Sequence, residues 1–486
     1  MVKPHLDVGA TVDGFRIEER VHVGGMATLW RVTRATPDPA TPDPTTRDPV
    51  TLGPPPMLMK VPKFAEGEDP AAIVSFEMEQ MIMPRLSGAH VPKFFAVGDF
   101  RVQPYIVMEQ IPGASLYRRL AELPLPYAEV ADLGVKIAAA LDDLHRQNVI
   151  HLDIKPSNIM FRPSGEAVLL DYGLSHHDRL PDLMLEEFRV PFGTAPYIAP
   201  EQLLDVRNDP RSDLFALGVL LFFFSTGVRP FGESESMGGM RRRLWRDPVP
   251  PRRLRPDYPP WLQEVVLRCI EIEPAWRYPT AAQVAFDLSH PDQVKLTKRS
   301  ERLDRDPLRV VLRRRFNKDF ARSIARPATA TQIAAAPIVA VAVDLSEGSA
   351  PLNDALRDAA QRILATLPSA RLACLNVLKQ GRVALDFDLD QQGHSKRIDR
   401  LVALRHWAEP LQLEEHRLSA HVLDAVNPAN AILEFAAANH VDHIVIGARQ
   451  NSLLRGLLGS VSAKVAAEAA CSVTIVRPAR AADEKS

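Results

Sequence analysis

Cysteine is scarce in this 486-residue chain, with only Cys269, Cys374 and Cys471, far apart and odd in number. Such a set builds neither a disulfide framework nor a zinc cluster, and it fits buried thiols in a reducing compartment. A basic surplus is missing too. Lys and Arg number 59 against 60 Asp and Glu, for a formal net charge of -1, so the electrostatic footprint of a nucleic-acid binder is lacking. No apolar run is long. The most hydrophobic stretch, Leu214 to Val228, falls short of the roughly 20 residues that span a bilayer and reads as a buried helix. Met1 to Asp13 holds no apolar leader core, so a soluble, cytoplasmic protein without a membrane span is expected.

The length exceeds one ordinary core, and composition divides the chain. Residues 12–290 form a first region. Within it, residues 35–56 hold eight prolines in 22 positions. Such a stretch sustains neither helix nor ladder and is expected to be an exposed, disordered insert. Residues 291–332 are basic, with 12 Lys and Arg against five Asp and Glu, densest at Arg313-Arg314-Arg315. A solvated linker with one helix over Leu308 to Ile324 is expected, a membrane-surface or acidic-partner patch being the alternative. Residues 328–336 read as the final joint. Residues 333–480 alternate strands (337–343, 371–378, 411–421, 443–446, 473–476) with helices (353–367, 397–407, 428–439, 460–470). That alternation implies a parallel sheet covered by helices on both faces.

What the first region does contain is specific. His151-Leu152-Asp153-Ile154-Lys155-Pro156-Ser157-Asn158 puts an Asp, a Lys and an Asn on one loop, and Asp171-Tyr172-Gly173 follows 13 positions after Asn158. Asp153 can accept a hydroxyl proton and Lys155 can neutralise a moving phosphoryl group, while Asn158 and Asp171 can hold magnesium against nucleotide phosphates. Both motifs resemble the His-Arg-Asp and Asp-Phe-Gly signatures of the protein kinase superfamily, with one substitution each. The resemblance implies an α+β bilobal protein kinase fold, ATP with Mg2+ (or Mn2+), and protein substrates. By the same resemblance Val21, Gly24, Gly25 and Leu29 belong to the glycine-rich loop, with His22 and Ala27 where its first and third glycines are expected. Lys60 would bind phosphate from a strand and pair with Glu79, Glu77 being the competing partner. Met108 would guard the back pocket, and Glu109 and Ile111 would follow it in the adenine-binding hinge. Thr194 would bridge Asp153 and Lys155, Glu201 would pair with Arg277, and Asp213 with Gly218 would anchor the catalytic loop. His151 is read as a packing residue. Lys155 favours serine/threonine over tyrosine specificity.

Leu152 departs from the family pattern at a telling place. The arginine usual there pairs with a phosphate on the activation segment, which leucine cannot do. Between Gly173 and Gly193 the only hydroxyl is that of Ser175. The segment is therefore expected not to depend on phosphorylation and to be held by its own packing through Leu183, Met184, Leu185 and Phe188.

The last region resembles the universal stress protein family, through Val343-Asp344, Ile444 to Arg449, and Leu457-Leu458-Gly459-Ser460-Val461. The resemblance implies an α/β parallel-sheet domain in which Asp344, Gly447, Gly459 and Ser460 bind a nucleotide. Gln450 stands where a further glycine is expected, so a dimerising or sensing module with an altered pocket, including a homodimer through this domain, is the alternative. Two rivals to a protein kinase remain, a pseudokinase-type nucleotide-binding scaffold in stress signalling and a small-molecule kinase on the same fold. His22, Ala27 and Leu152 motivate the scaffold, and the complete set Lys60, Glu79, Asp153, Lys155, Asn158 and Asp171 opposes it.

Overall fold

The computed structural model describes residues 6–35, 56–63, 70–99, 103–188, 191–232, 236–325, 337–346, 348–368, 370–379, 396–414, 417–439, 441–448 and 459–478. Nearly all of the proline-rich insert, the joint at 328–336, and Gln450 with Leu457-Leu458 lie outside the described residues.

The chain begins with strands β1 (Thr11–Val12), β2 (Phe15–Val23), β3 (Ala27–Arg34), β4 (Met57–Pro62), β5 (Phe94–Val97) and β6 (Ile106–Glu109). They form an antiparallel sheet in the order β1-β2-β3-β4-β6-β5. Alternation along β4 buries Met57, Met59 and Val61 against Ile17, Trp30 and Val107. The two-residue period then turns Leu58 and Lys60 to the opposite face. Helix α1 (Pro70–Ile82) crosses behind this sheet and ends in a 3-10 turn over Met83–Arg85.

A larger, mostly helical lobe follows. Helix α2 (Tyr127–Arg146) leads to β7 (Val149–Ile150), the hairpin β8 (Ile159–Phe161) and β9 (Ala167–Leu169), β10 (His176–His177), and the short helix α3 (Leu183–Glu187). Helix α4 (Arg211–Thr226) contains most of the apolar run and is buried almost all round, as a core helix requires. Among the described residues no helix is long and apolar enough to cross a membrane. Helices α5 (Met237–Met240), α6 (Pro251–Leu254), α7 (Pro260–Cys269) and α8 (Ala281–Ser289) complete the lobe. Gly218 lets α4 meet α7, since a Cβ there would stand 2.5 Å from Cys269 Cβ. Glu201 and Arg277 form the expected pair, with two bonds of 2.6 and 2.7 Å and both side chains fully buried.

The basic segment differs from a solvated linker. It contains α9 (Lys298–Glu301), α10 (Leu308–Phe316) and α11 (Lys318–Ile324), and acidic groups of the large lobe hold it down. Arg299 reaches Glu264 and Glu271 at 3.2 and 2.7 Å, and Arg302 and Arg314 share Asp247 at 3.0 Å each. The single helix expected over 308–324 is two helices. Asn317 interrupts it because its side-chain oxygen accepts the N–H groups of Asp319 and Phe320, capping the second helix.

The C-terminal domain is a parallel sheet in the order β13-β12-β11-β14-β15, made of β11 (Ile338–Ala342), β12 (Arg371–Lys379), β13 (Leu418–Ala425), β14 (His443–Gly447) and β15 (Ser472–Val476). Helices α12 (Ala350–Thr366), α13 (Lys396–Ala408), α14 (Pro428–Ala438) and α15 (Ser460–Glu468) cover both faces. The strand expected from Leu411 starts only at Leu418. Glu409–Leu411 instead make a 3-10 turn entered at Pro410, and Gln412 turns the chain at φ 48°.

Replacing Arg277 by Met would leave the Glu201 carboxylate buried beside little more than the Ser212 hydroxyl, which donates to it at 2.7 Å. The kinase-like lobe should lose roughly 3–5 kcal/mol. Denaturant unfolding followed by tryptophan fluorescence measures this, and an unshifted midpoint would contradict the buried pair.

Candidate active site

Lys60 leaves β4 on the face away from the small-lobe core and ends between two carboxylates. Its Nζ lies 2.6 Å from Glu79 Oε2 and 3.0 Å from Asp171 Oδ1. Burial by itself would lower the ammonium's affinity for its proton, but Asp171 and Glu79 outweigh it and raise the group above its ordinary value. Burial pushes the Glu79 carboxyl up against the pull of Lys60, whereas the Lys60 ammonium holds Asp171 below the usual carboxylate range.

Two neighbouring strands carry the rest. The β8–β9 hairpin registers Ile159 against Leu169, and Leu170 N–H donates to Asn158 C=O at 2.9 Å, so Asn158 and Asp171 leave the same end of one ribbon. Asp171 takes φ 68°, which aims its side chain, 46% exposed, into the cleft. Gly173 then passes against α1 so closely that a Cβ would stand 2.1 Å from Ser75 Oγ. Only glycine fits there.

On the loop, Asp153 gathers four donors. Its Oδ1 accepts from Thr194 N–H at 3.0 Å and from the Thr194 hydroxyl at 2.8 Å; its Oδ2 accepts from Lys155 Nζ at 2.6 Å and Asn158 Nδ2 at 3.2 Å. Thr194 and Lys155 thus meet on opposite oxygens of one carboxylate. Asp213 fixes the loop from below, accepting from His151 N–H, Leu152 N–H and His145 Nε2 at 2.8–2.9 Å. Leu152 sits at φ 61°, its carbonyl accepting from Gln202 Nε2 at 3.1 Å. His151 is fully buried, with Nε2 on Leu170 C=O at 3.0 Å and its ring 5.3 Å from that of Tyr172. It is a packing residue.

At the cleft roof, Val23 to Ala27 make a tight hairpin closed by Gly24 N–H on Ala27 C=O at 2.9 Å, and Lys63 Nζ donates to Gly24 C=O at 2.6 Å. Gly25, Val21 and His22 are exposed, and Leu29 pairs with both His22 and Lys60. Met108 pairs with Leu58 and Phe94. Glu109, next to it, turns outward to Arg162 at 2.5 and 2.8 Å, while Ile111 is buried beyond. Hard oxygen donors suit magnesium, which keeps waters and takes few protein ligands. Asp171, half open to the cleft, and Asn158 Oδ1, met only by Ser157 Oγ at 3.3 Å among the described bonds, fit that demand.

Sequence reasoning missed the surroundings of the segment between Gly173 and Gly193. Asp182 caps α3 and bonds Arg207 at 2.8 Å and His176 at 3.1 Å. Leu183 and Met184 are buried in the large-lobe core beside Val74 and Met78 of α1, with Phe188 at its margin. Leu185 is only half-buried. Glu186 and Glu187 point away from that core to the C-terminal domain. Glu186 meets Arg371 at 2.6 Å and His421 Nε2 at 2.8 Å, Glu187 meets Arg397, and Glu77 of α1 meets Arg405. These partners lie about 200 or more residues apart in sequence, so no local pattern announces them. A Glu-Glu pair inside an apolar segment was the available hint.

The C-terminal domain has a cleft of its own, about 380 Å³, at the carboxyl ends of β11, β12 and β14 and the start of α15. In this strand order that is the switch point where α/β sheets take ligands. Asp344, Gly447, Gly459 and Ser460 all line it. The Asp344 carboxylate accepts from Ser346 N–H and hydroxyl at 3.1 and 2.8 Å, and Gly447 is packed hard on Leu352.

Residues 59–288 match the protein kinase domain and residues 337–477 the universal stress protein family. Similar curated proteins include a probable serine/threonine-protein kinase of Clostridium acetobutylicum (28% identical, covering 57% of this chain and 39% of that one). Others are serine/threonine-protein kinase pkn3 of Myxococcus xanthus (29%, 62% and 53%) and PknL of Mycobacterium tuberculosis (30%, 48% and 58%). This chain therefore spans less than two thirds of each of these relatives. A solved Mycobacterium tuberculosis PknI kinase domain aligns at 21% identity over 59% of this chain and 98% of its own, with a TM-score of 0.42. The chain joins an N-terminal protein kinase domain to a C-terminal universal stress protein domain.

Proposed function

We propose that the chain is an ATP- and magnesium-dependent serine/threonine protein kinase of the cytoplasm whose activation segment works without phosphorylation. The arrangement of Lys60 between Glu79 and Asp171, with Asp153 bonded to Thr194 and Lys155, carries this reading. Asp153 orients a substrate hydroxyl and takes its proton as that oxygen bonds the terminal phosphorus and the bond to the leaving diphosphate breaks. Lys155 offsets charge on the transferred group, and Lys60 holds the nucleotide phosphates. Asn158 and Asp171 would hold magnesium, which would supply positive charge against the nucleotide phosphates. The complete set disfavours a pseudokinase scaffold, which has no chemical need of Asp153 with Lys155. Cys269 and Cys374, buried and unpaired, suit a reducing compartment.

Independence from phosphorylation draws support from Ser175. Its hydroxyl is buried and donates to His151 C=O at 3.1 Å, so a kinase could not reach it without dismantling the loop. The C-terminal cleft is proposed to take a second nucleotide. Asn376 lines it, and its buried Oδ1 has no partner among the described groups, an acceptor left for a ligand's N–H.

Three outcomes test these readings. Transfer of labelled γ-phosphate to protein should drop roughly 100- to 10,000-fold in Asp153→Asn, and Asp171→Asn should lose it along with its magnesium dependence. Wild-type protein that binds nucleotide but transfers nothing would establish the scaffold instead. Phosphatase treatment should change the rate by no more than about twofold, since no phosphate is there to be removed; mass spectrometry of the segment checks that it is unmodified, and a severalfold loss would refute independence. Equilibrium dialysis with ATP should give two sites per chain, one of them surviving Lys60→Met, whereas a single site abolished by Lys60→Met would leave the C-terminal cleft without a nucleotide.

A further inference from the structure

Helix α1 presents two working faces. Ser75 and Glu79, four apart, face the active site, where Ser75 abuts Gly173 and Glu79 holds Lys60. Ile73 and Glu77, also four apart, lie on the other side. There Ile73 joins the apolar cluster of the C-terminal domain and Glu77 pairs with Arg405 of α13. Helix α3 is divided likewise, with Leu183 and Met184 turned to the large lobe and Glu186 and Glu187 to the C-terminal domain. The two elements that complete a kinase site are therefore both gripped from outside the kinase domain.

We propose that the C-terminal domain positions the active site in cis: Arg371, Arg397 and His421 hold the activation segment by Glu186 and Glu187, while Arg405 and the apolar surface under Ile73 hold α1. This rests on the kinase reading of the site and adds what keeps that site assembled. On the α3 side the grip is made of charges with little access to water. Glu186 and Glu187 are almost fully buried, as is Arg397, which also meets Asp424 at 3.1 Å. Asn439 Nδ2 donates to the Glu186 backbone carbonyl at 3.2 Å. Buried carboxylates cannot stay ionised once separated from their cations without returning to water. The contact is accordingly made as a unit or not at all, the property a two-state element needs. It keeps the polarity of a phosphorylation switch but needs no modification. The segment supplies permanent anions, and a second domain supplies the cations.

His421 adds a pH dependence. It faces Glu186 and Glu187 of α3, Ser419 on its own strand at 2.9 Å and the Phe435 ring of α14, with Arg371 and Arg397 beyond the two carboxylates. Burial disfavours the imidazolium, but bonds to Glu186 and Glu187 prevail and raise it from 6.5 to about 9. A raised value means that the grip is complete below 6.5 and weakens as pH climbs through 9.

Three full-length proteins test the proposal: Arg371→Met/Arg397→Met, Glu186→Gln/Glu187→Gln, and the combination of all four changes. Phosphate transfer should fall roughly tenfold in kcat in either double variant, with the combination no worse than one double alone. Hydrogen exchange should quicken in peptides covering 70–82 and 183–188 while those covering β11, β14 and α4 keep wild-type protection, which separates release from misfolding. In His421→Gln the fall in kcat toward pH 9 should flatten; His176, itself raised to about 9, is present in both proteins and cannot account for a difference. Faster transfer in the double variants would mean that the domain restrains the kinase, and unaltered exchange in both peptides would mean that it holds nothing; either overturns the proposal. A wild-type protein without any transfer would defeat the kinase reading alone, because exchange still reports whether the two elements are held.

Discussion

One ammonium group shared by two carboxylates holds this active site together. Lys60 comes from the sheet, Glu79 from α1 and Asp171 from the turn after β9, and their contacts of 2.6 and 3.0 Å join three separately folded elements at one point. An isolated ammonium at that depth would be costly, and so would either carboxylate. Together they offset one another in part and leave Asp171 with free oxygen surface toward the cleft. The position of α1 is therefore not optional. If it swings away, Lys60 loses half its compensation and Gly173 loses the surface of Ser75 against which it is packed.

That dependence explains why so much of the site could be read from the sequence. Asp153, Lys155, Asn158 and Asp171 are spaced by the loop and hairpin that carry them, so their chemistry and geometry are both local. Two positions along a helix put Glu77 and Glu79 on different faces, and the spacing to the helix end usual in the kinase family singled out Glu79. The parallel sheet followed from alternating periods, and its boundaries erred where a turn entered by proline looked like the start of β13. The basic segment was misread for a different reason. Charge counts cannot distinguish an arginine in water from one over Asp247 or Glu264, and only the fold brings those acids beneath it.

Long-range charge pairing was the part sequence could not supply. Glu77 was only the competing partner for Lys60, and Glu186-Glu187 drew no expectation from the sequence. Each is buried against an arginine from the C-terminal domain. Strand β13 supplies a complementary reason for the arrangement. It is an edge of its sheet, and an uncovered edge is a liability. The partners of α3 lie on and around it, with Ser419 and His421 in the strand and Asn439 at the end of α14. One contact thus covers an edge on one side and fixes a loop on the other.

Leu152 fits this arrangement in a way that substitution alone did not reveal. At φ 61° its backbone is strained, yet Asp213 accepts its N–H at 2.8 Å and Gln202 donates to its carbonyl at 3.1 Å, so the conformation is paid for by buried hydrogen bonds. Its side chain is buried and asks for no counter-charge. On the inner side of the segment Asp182 already has Arg207 as its partner. With the inner side neutral, the unmatched charges of α3 are Glu186 and Glu187 on its outer side, and they can be satisfied only by another body. In the proposed arrangement the leucine beside Asp153 and the glutamate pair 34 positions later are two parts of one electrostatic design, in which the cations for the segment come from the C-terminal domain.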